Sequence, residues 1–419
     1  MGVILDATNA QIVNAVRSEM VMFGGRIPEA TASNIRDIGD IIRGNLQVAN
    51  EFLSVLVNRI ARVMVTSRLY ENPLASFKKG TERYGDIIEE IFVNIANANE
   101  YDPQIASREV YKREIPNIDA MYHKMNSQLF YKATIQEDSL AKAFTSENGF
   151  RTLIAGIVDS LYSGANFDEF LSMKELFAAN KPYFAYVKTD APTASTAHNI
   201  VTNIKATSNM LTFMSDKYNR FGVKNFTPRD RQVLLIRADI DALIDVNVLA
   251  SAFNMNKAEF MGRRIVVDDF GTGMENVYAI LCDETFLIVV NNLDRFTEQY
   301  NAQGLYWNYF WHVWRTYAVS PFANAIAFTS GTITEGTAVT ITPSAPSIAK
   351  GGNVQLEASV TPSGASQSVR FTAEGMNGGS YITASGFLHV GEEQSGNITV
   401  KATATAKPSL TKTATVTVT

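Results

Sequence analysis

The chain of 419 residues has one cysteine, four histidines and no surplus of basic charge, and each scarcity removes a class of explanation. A single cysteine, Cys282 in "NVYAILCDE", forms no intrachain disulfide, and its apolar neighbours read as the setting of a buried small hydrophobe. His123, His198, His312 and His389 are scattered, and there is no H-E-x-x-H, C-x-x-C, G-x-S-x-G or Walker A sequence. No metal centre, nucleophilic triad or phosphate loop is nominated, so no catalytic residue and no cofactor is expected. With 37 Lys and Arg against 42 Asp and Glu, the net charge is −5, which leaves any contact with DNA weak and non-specific. No apolar run approaches the roughly eighteen residues of a membrane span. The N-terminal "MGVILDATNA" carries Asp6 inside its apolar stretch and no basic leader, so neither a signal peptide nor a membrane anchor is expected. Asp6 also stands where a myristoylation signal has Ser or Thr. These readings together predict cytosolic synthesis.

Several short motifs invite a chemical reading and lose it on inspection. "DFGTGMEN" (268–275) mimics a kinase D-F-G and part of a phosphate loop, but its partner motifs are missing, so a glycine-rich turn is expected. "DIDALID" (239–245) gathers three carboxylates yet lacks the glycine and terminal glutamate of a calcium loop; Asp245 is read as the cap of a helix over 245–254. "NFT" (225–227) and "NIT" (397–399) match the glycosylation acceptor, and nothing directs the chain to a secretory route.

What is abundant is apolar and patterned: 46% of residues are hydrophobic and 19% charged, enough for two or three domains. Near residue 330 the character changes. From Thr337 to Thr419 there are 14 Thr and 10 Ser, and short alternating runs such as "VQLEASV" (354–360), "SVRFTAE" (368–374), "ITVKATAT" (398–405) and "TATVTVT" (413–419) predict a small antiparallel sandwich, with "TSGTITEGTA" (329–338) as linker. Few contacts are expected across that boundary. Before it, the spacing of Phe150, Leu153, Ile154, Ile157, Val158, Leu161 and Tyr162 predicts a helix that Ser163 and Gly164 end or kink, and "NFDEFLSMKELFAANKP" continues helically to Pro182. "RQVLLIRADI" and "RRIVVDDF" read as strands, and "NVYAILCDETFLIVVNNL" (276–293) as a hairpin through Asp283 and Glu284, giving an α+β body.

Two segments stand out. Residues 66–118 are long and polar at both ends, and "DIIEEIFVNI" fits helix and strand alike; an excursion with no core of its own reaches for a partner. Lys78, Lys79 and Arg83 on one limb and Glu89, Glu90, Glu109 and Glu114 around the other are the candidate inter-subunit charges. "GLYWNYFWHVWRTYAVSPFANAIAF" (304–328) holds all three tryptophans. Trp307, Trp311 and Trp314 are spaced as on a helix face, whereas Tyr306, Asn308, Phe310 and His312 alternate as in a strand; Trp307, Trp311, Trp314, Tyr306 and Phe310 are the candidate aromatic core, with His312 a satisfied core histidine.

"NPLASFKKG", "YKREIPN", "TIQEDSLAKAF", "DVNVLASAFNMN" and the aromatic segment, collinear over almost the whole chain, resemble the major capsid proteins of phi-29-like podoviruses. Residues 336–419 separately resemble a bacterial immunoglobulin-like group 2 domain. The resemblance implies a Hong Kong 97-type capsid fold: residues 1–65 as N-terminal arm and first packed helices, 66–118 as the extended loop lying across a neighbouring subunit, and 119–189 as peripheral domain with a spine helix from about Phe150. Residues 190–293 would be the axial domain, 294–335 the return to the peripheral domain with the linker, and 336–419 the immunoglobulin-like sandwich. It implies an icosahedral or elongated shell of hexamers and pentamers around packaged double-stranded DNA, with portal and scaffolding proteins as further partners, no membrane, and a virion location after assembly in the host cytoplasm. No position matches the lysine and asparagine of cross-linked members, so assembly is expected to be non-covalent. The immunoglobulin-like domain is expected to face outward toward the host surface, with the clamping of adjacent capsomers as the competing expectation. An adhesin-like surface protein is the alternative that the same domain suggests, and a hydrolase is the other, for the carboxylate-rich stretches.

Overall fold

A computed structural model of the chain describes residues 8–63, 70–81, 87–96, 98, 118–138, 159–247 and 263–419. Three helices come first: α1 (Asn9–Glu19), α2 (Ile35–Arg43) and α3 (Leu46–Val63). α1 begins where Thr8 Oγ1 accepts from the Gln11 N–H and Gln11 Oε1 accepts from the Thr8 N–H, a reciprocal cap for two otherwise orphaned amides. Asn45 caps α3 by accepting from the Gln47 and Val48 N–H groups. The helices bury Val13, Val16, Ile38, Ile42, Phe52 and Leu53 against one face of a four-stranded sheet.

That sheet has the order β1-β9-β10-β4, with β1 (Lys78–Thr81), β4 (Ser127–Gln136), β9 (Leu287–Asn301) and β10 (Tyr306–Val319). The two long strands β9 and β10 pair antiparallel from Leu287↔Val319 to Asn301↔Tyr306. β10 is the aromatic segment. Its period of two sends Trp307, Tyr309, Trp311 and Val313 under the helices and leaves Tyr306, Phe310 and Trp314 half-buried on the opposite face. The expected five-residue aromatic core is corrected accordingly. Of those five, Trp307 and Trp311 alone join it, because a strand period separates Trp314 from the pair that helical spacing would have kept together. His312 also lies on the half-buried face, where its Nε2 is 3.1 Å from Thr297 Oγ1.

A second sheet has the order β5-β11-β8-β6-β7, with β5 (Ala185–Lys188), β6 (Gln232–Arg237), β7 (Arg263–Val267), β8 (Val277–Asp283) and β11 (Ala325–Thr329). A π-turn over Asp159–Ser163 leads into α4 (Gly164–Ala179), which covers one face through Phe170, Met173 and Phe177. α5 (Ala197–Leu211) and α6 (Ala238–Asn247) cover the other through Ile200, Ile204, Leu211 and Ile240. Strands buried on both faces need apolar residues at every position, hence the unbroken "VLLI" of β6 and "VYAILC" of β8.

Several expectations change here. The break at Ser163–Gly164 is the junction of π-turn and α4, and α4 stops at Ala179, ahead of Pro182; Phe150 to Val158 lie outside the described residues. Asp245 lies inside α6, whose first turn carries Asp239 and Asp241, so it caps no helix start. β8 and β9 do not form a hairpin: β8 bonds to β6 and β11, whereas β9 bonds to β1 and β10, and the turn at Asp283–Phe286 passes the chain from one sheet to the other. β9 runs through the 293/294 boundary, and the second sheet draws β5 and β11 from outside 190–293.

The C-terminal sandwich comprises β12 (Ala338–Thr342), β13 (Ser347–Ile348), β14 (Asn353–Gln355), β15 (Glu357–Thr361), β16 (Val369–Glu374), β17 (Tyr381–Ile382), β18 (Phe387–His389), β19 (Ile398–Ala404) and β20 (Thr411–Val418). Its core centres on Leu356, Phe371, Leu388, Val390, Val400 and Val416. The expectation of few contacts across its boundary is corrected. The Gln367 N–H donates to Pro182 O at 2.7 Å, Ser368 Oγ to Tyr183 O at 3.0 Å, and the Ala384 N–H to Asp119 Oδ1 at 2.7 Å. The composition shift marks where one core ends and the next begins, and the loops of the sandwich still reach the body.

Candidate functional site

β2 (Ile87–Val93) and β3 (Ile118–Lys124) form a two-stranded antiparallel ribbon, in register from Ile87↔Lys124 to Val93↔Ile118. "DIIEEIFVNI" is therefore a strand over most of its length. Directly opposed residues share a face, so the ribbon has two distinct sides. Its inner side carries Glu90, Phe92, Asp119, Met121 and His123. Phe92 stacks on Phe322 with ring centres 5.4 Å apart, the Glu90 carboxylate lies 3.1 Å from His123 Nε2 and accepts from the Ser320 hydroxyl, and Asp119 is fully buried. Its outer side exposes Ile87, Ile91, Val93, Ile118 and Tyr122, with Ile91 58% exposed. The Tyr122 hydroxyl donates to Glu89 across the strands at 2.9 Å. A two-stranded ribbon whose inner side is held by its own subunit and whose outer side leaves these apolar side chains exposed is an incomplete structure.

The base of this excursion is a buried charge cluster. Lys78 begins β1, Glu169 lies on α4 and Arg315 on β10. The Glu169 carboxylate, 1% exposed, is 2.9 Å from Lys78 Nζ, accepts from the Arg315 guanidinium, and accepts from Asn72 Nδ2 at 2.8 Å. Burial raises the pKa of nearby Asp294, and Arg315 and Lys78 pull it back. A second cluster fixes the loop after β7. Lys174 Nζ lies 2.9 Å from carboxylate oxygens of both Asp268 and Asp269; burial opposes its charge, but these bonds outweigh burial and raise its pKa. The kinase-like "DFGTGMEN" is thus a turn, with Gly271 and Gly273 at φ +87° and +81°.

The predicted charges divide sharply. Lys78 is paired inside its own subunit, which corrects its expected role as an inter-subunit contact: a cation already held by a buried carboxylate is not free for a neighbour. Lys79 donates to Thr285 O at 3.4 Å, and burial lowers its pKa. Glu90 faces inward, a second correction, and Glu89 is bonded to Tyr122 on the exposed side. Arg83, Glu109 and Glu114 lie outside the described residues. Sequence reasoning missed the apolar outer side itself. The signal was present: Ile87, Ile91 and Val93 fall on odd positions, so a strand over this segment puts three apolar side chains beside Glu89 on one side.

In the aromatic belt, Trp311 stacks on Phe296 (5.7 Å, 6°) and packs against Tyr162 at 4.3 Å, and the Trp307 indole N–H donates to Asn50 on α3. Cys282 is buried, and burial pushes its thiol pKa up. Among the described residues no group of three or more His, Cys, Asp or Glu side chains could hold a metal ion, and no helix is long and apolar enough to cross a membrane.

A helix-covered sheet of long strands lies beside a helix-sandwiched mixed sheet, with a ribbon left uncovered on one side. The fold is similar to that of a chain from the capsid structure of Staphylococcus phage Andhra (TM-score 0.52, 13% identity, covering 64% of this chain and 86% of that one). It is also similar to a chain from the structure of the head fiber and inner core protein gp22 of native bacteriophage P68 (TM-score 0.51, 13% identity, the same coverage). This is the Hong Kong 97-type capsid fold. In sequence the chain is 39% identical to the major capsid protein of Bacillus phage PZA over 94% of this chain and 89% of that one, and 37% identical to that of Bacillus phage B103 with the same coverage. Residues 13–329 match the model of the phi29-like phage major capsid protein family, and residues 335–416 that of the bacterial Ig-like domain (group 2). The chain belongs to the phi29-like phage major capsid protein family and is a virion component that forms an oligomeric shell. The adhesin alternative is not favoured.

Proposed function

We propose that the β2–β3 ribbon lies across a neighbouring copy of the chain and that this overlap, repeated around each capsomer, closes the shell without covalent links. The observation that carries the reading is the exposed outer side of the ribbon: Ile87, Ile91, Val93, Ile118 and Tyr122 on a two-stranded element whose inner side is already covered. Each such side chain contributes roughly 1–2 kcal/mol when a neighbour covers it. A swapped element offers the area, about 2,000 Å² or more, that permanent interfaces use, against an association cost of roughly 4–15 kcal/mol. In the same reading residues 1–65 are the N-terminal arm and first packed helices and 66–118 the extended loop. The helices with the β9–β10 sheet form the peripheral domain, and the five-stranded sheet the axial domain.

The chain has a purely structural role, encloses double-stranded DNA through weak contacts only, and meets portal and scaffolding proteins during assembly. An acidic balance supports this, because a container that held its genome tightly could not release it. The Thr- and Ser-rich sandwich suits weak, repeated contact with host polymers. The ribbon reading is tested by Ile91→Glu in the full chain, followed by negative-stain microscopy. Folded subunits that no longer close shells are expected; abundant normal shells would overturn it.

A further inference from the structure

The C-terminal sandwich grips three parts of the body that are distant in sequence. The first is the ribbon. Asp119 of β3 is 0% exposed; its Oδ1 accepts from the Ala384 N–H and its Oδ2 from Asn94 Nδ2, both at 2.7 Å. Ala384, in the turn between β17 and β18, belongs to no part of the sandwich core and is buried with Val223 and Phe322 of the body, against which Phe92 and Met121 of the ribbon pack. The second is the turn that closes α4, where the Gln367 N–H and Ser368 Oγ donate to the Pro182 and Tyr183 carbonyls. The third is the 215–225 turn. Arg370 reaches Asp216 at 3.7 Å, and Gly222, at φ +58°, lies so close beneath Thr405 and Arg370 that a Cβ there would come within 2.7 Å of Thr405 Cγ2.

A loosely tethered module has no use for a fully buried carboxylate in its contact. Burial of the charge disfavours it, so the geometry is held by both donors at once. We infer that the immunoglobulin-like domain is an intrachain brace that fixes the angle at which the β2–β3 ribbon leaves its own subunit. The rigid sandwich ties the ribbon to the end of α4 and to the 215–225 turn, so these three elements move together or not at all. A brace of this kind selects the direction in which the outer side of the ribbon meets a neighbour, and through that the curvature of the shell; this last consequence rests on the reading given under Proposed function.

The test uses the full chain. Ala384→Glu drives a charged side chain into the interface without entering the sandwich core, and Asp119→Ala removes the acceptor from the ribbon side. Asp119→Asn keeps an acceptor for the Ala384 N–H and serves as the conservative control. Amide exchange of the unassembled subunit at residues 87–93 and 118–124 is expected to quicken by about tenfold to a hundredfold in the first two variants and less in the third. Protection in β9–β10 and in β16, β19 and β20 is expected to stay as in the parent. Unchanged ribbon exchange in both Ala384→Glu and Asp119→Ala would overturn the brace. Shell diameters are read on the same samples. Faster exchange with a broadened diameter distribution supports the brace and the ribbon reading together, whereas faster exchange with uniform shells supports the brace and counts against the ribbon as the element that sets curvature.

Discussion

Replacing Glu169 by Ala is the perturbation with the largest expected effect on the isolated subunit. The carboxylate is 1% exposed and holds three partners: Lys78 of β1 at 2.9 Å, Asn72 at 2.8 Å, and Arg315 of β10, itself 4% exposed. Its loss leaves a buried guanidinium without its counter-ion, and breaking a buried pair from one side costs roughly 3–5 kcal/mol. Asp294 is an acid on which Arg315 and Lys78 also act. Burial raises its pKa, but Arg315 and Lys78 already act on it, so it recovers part of the loss and the lower end, about 3 kcal/mol, is the expected cost. At roughly 2–4 °C per kcal/mol for domains of this size, the melting temperature should fall by about 6–12 °C. Lys78→Ala is the comparison. Its side chain is partly exposed, so its removal should cost about 1 kcal/mol or less. Scanning calorimetry of unassembled subunits measures both. If Glu169→Ala shifts the transition by under about 2 °C, or no more than Lys78→Ala does, the cluster is not the buried anchor described.

Other expectations follow from the same geometry. Trp311→Ala should cost about 3–5 kcal/mol and Trp314→Ala about 1 kcal/mol or less, because one lies under the helices and the other on the half-buried face; chemical denaturation of the two variants checks this, and equal costs would contradict the strand register. Burial raises the Asp119 pKa above its ordinary 3.8, so the folded state holds that proton more tightly than the unfolded chain. Its contribution is full below 3.8 and is lost as pH rises through the raised value; urea unfolding across that window should show the parent losing stability relative to Asp119→Asn, and the opposite slope would refute it. Cys282 should resist a thiol reagent in the native subunit and react only on unfolding, and rapid native labelling would contradict its burial.

Much of this architecture could be read from local pattern, and what could not depends on pairings between distant residues. The alternation of β10 was visible as one of two periods, and the continuous apolar runs of β6 and β8 marked strands covered on both sides. The sheet change between β8 and β9 was not visible. Two apolar runs around a tight turn look like a hairpin whether or not they pair, and their true partners lie elsewhere in the chain. Lys78 looked like a loop charge because its partner, Glu169, is on a helix far along the sequence. The Asp119–Ala384 contact was hidden for the same reason, and the Thr- and Ser-rich composition of the sandwich says nothing of which loop carries an inward-facing alanine.

In the proposed shell, the uncovered side of the β2–β3 ribbon is completed by a neighbouring copy. Electron cryomicroscopy of shells assembled from the full chain tests it most directly, by tracing what covers Ile87, Ile91, Val93, Ile118 and Tyr122. Closed shells are expected in which a second copy buries these side chains while Asp119 and Phe92 stay against their own subunit. Closed shells with that side facing solvent, or covered by the ribbon's own subunit, would contradict it.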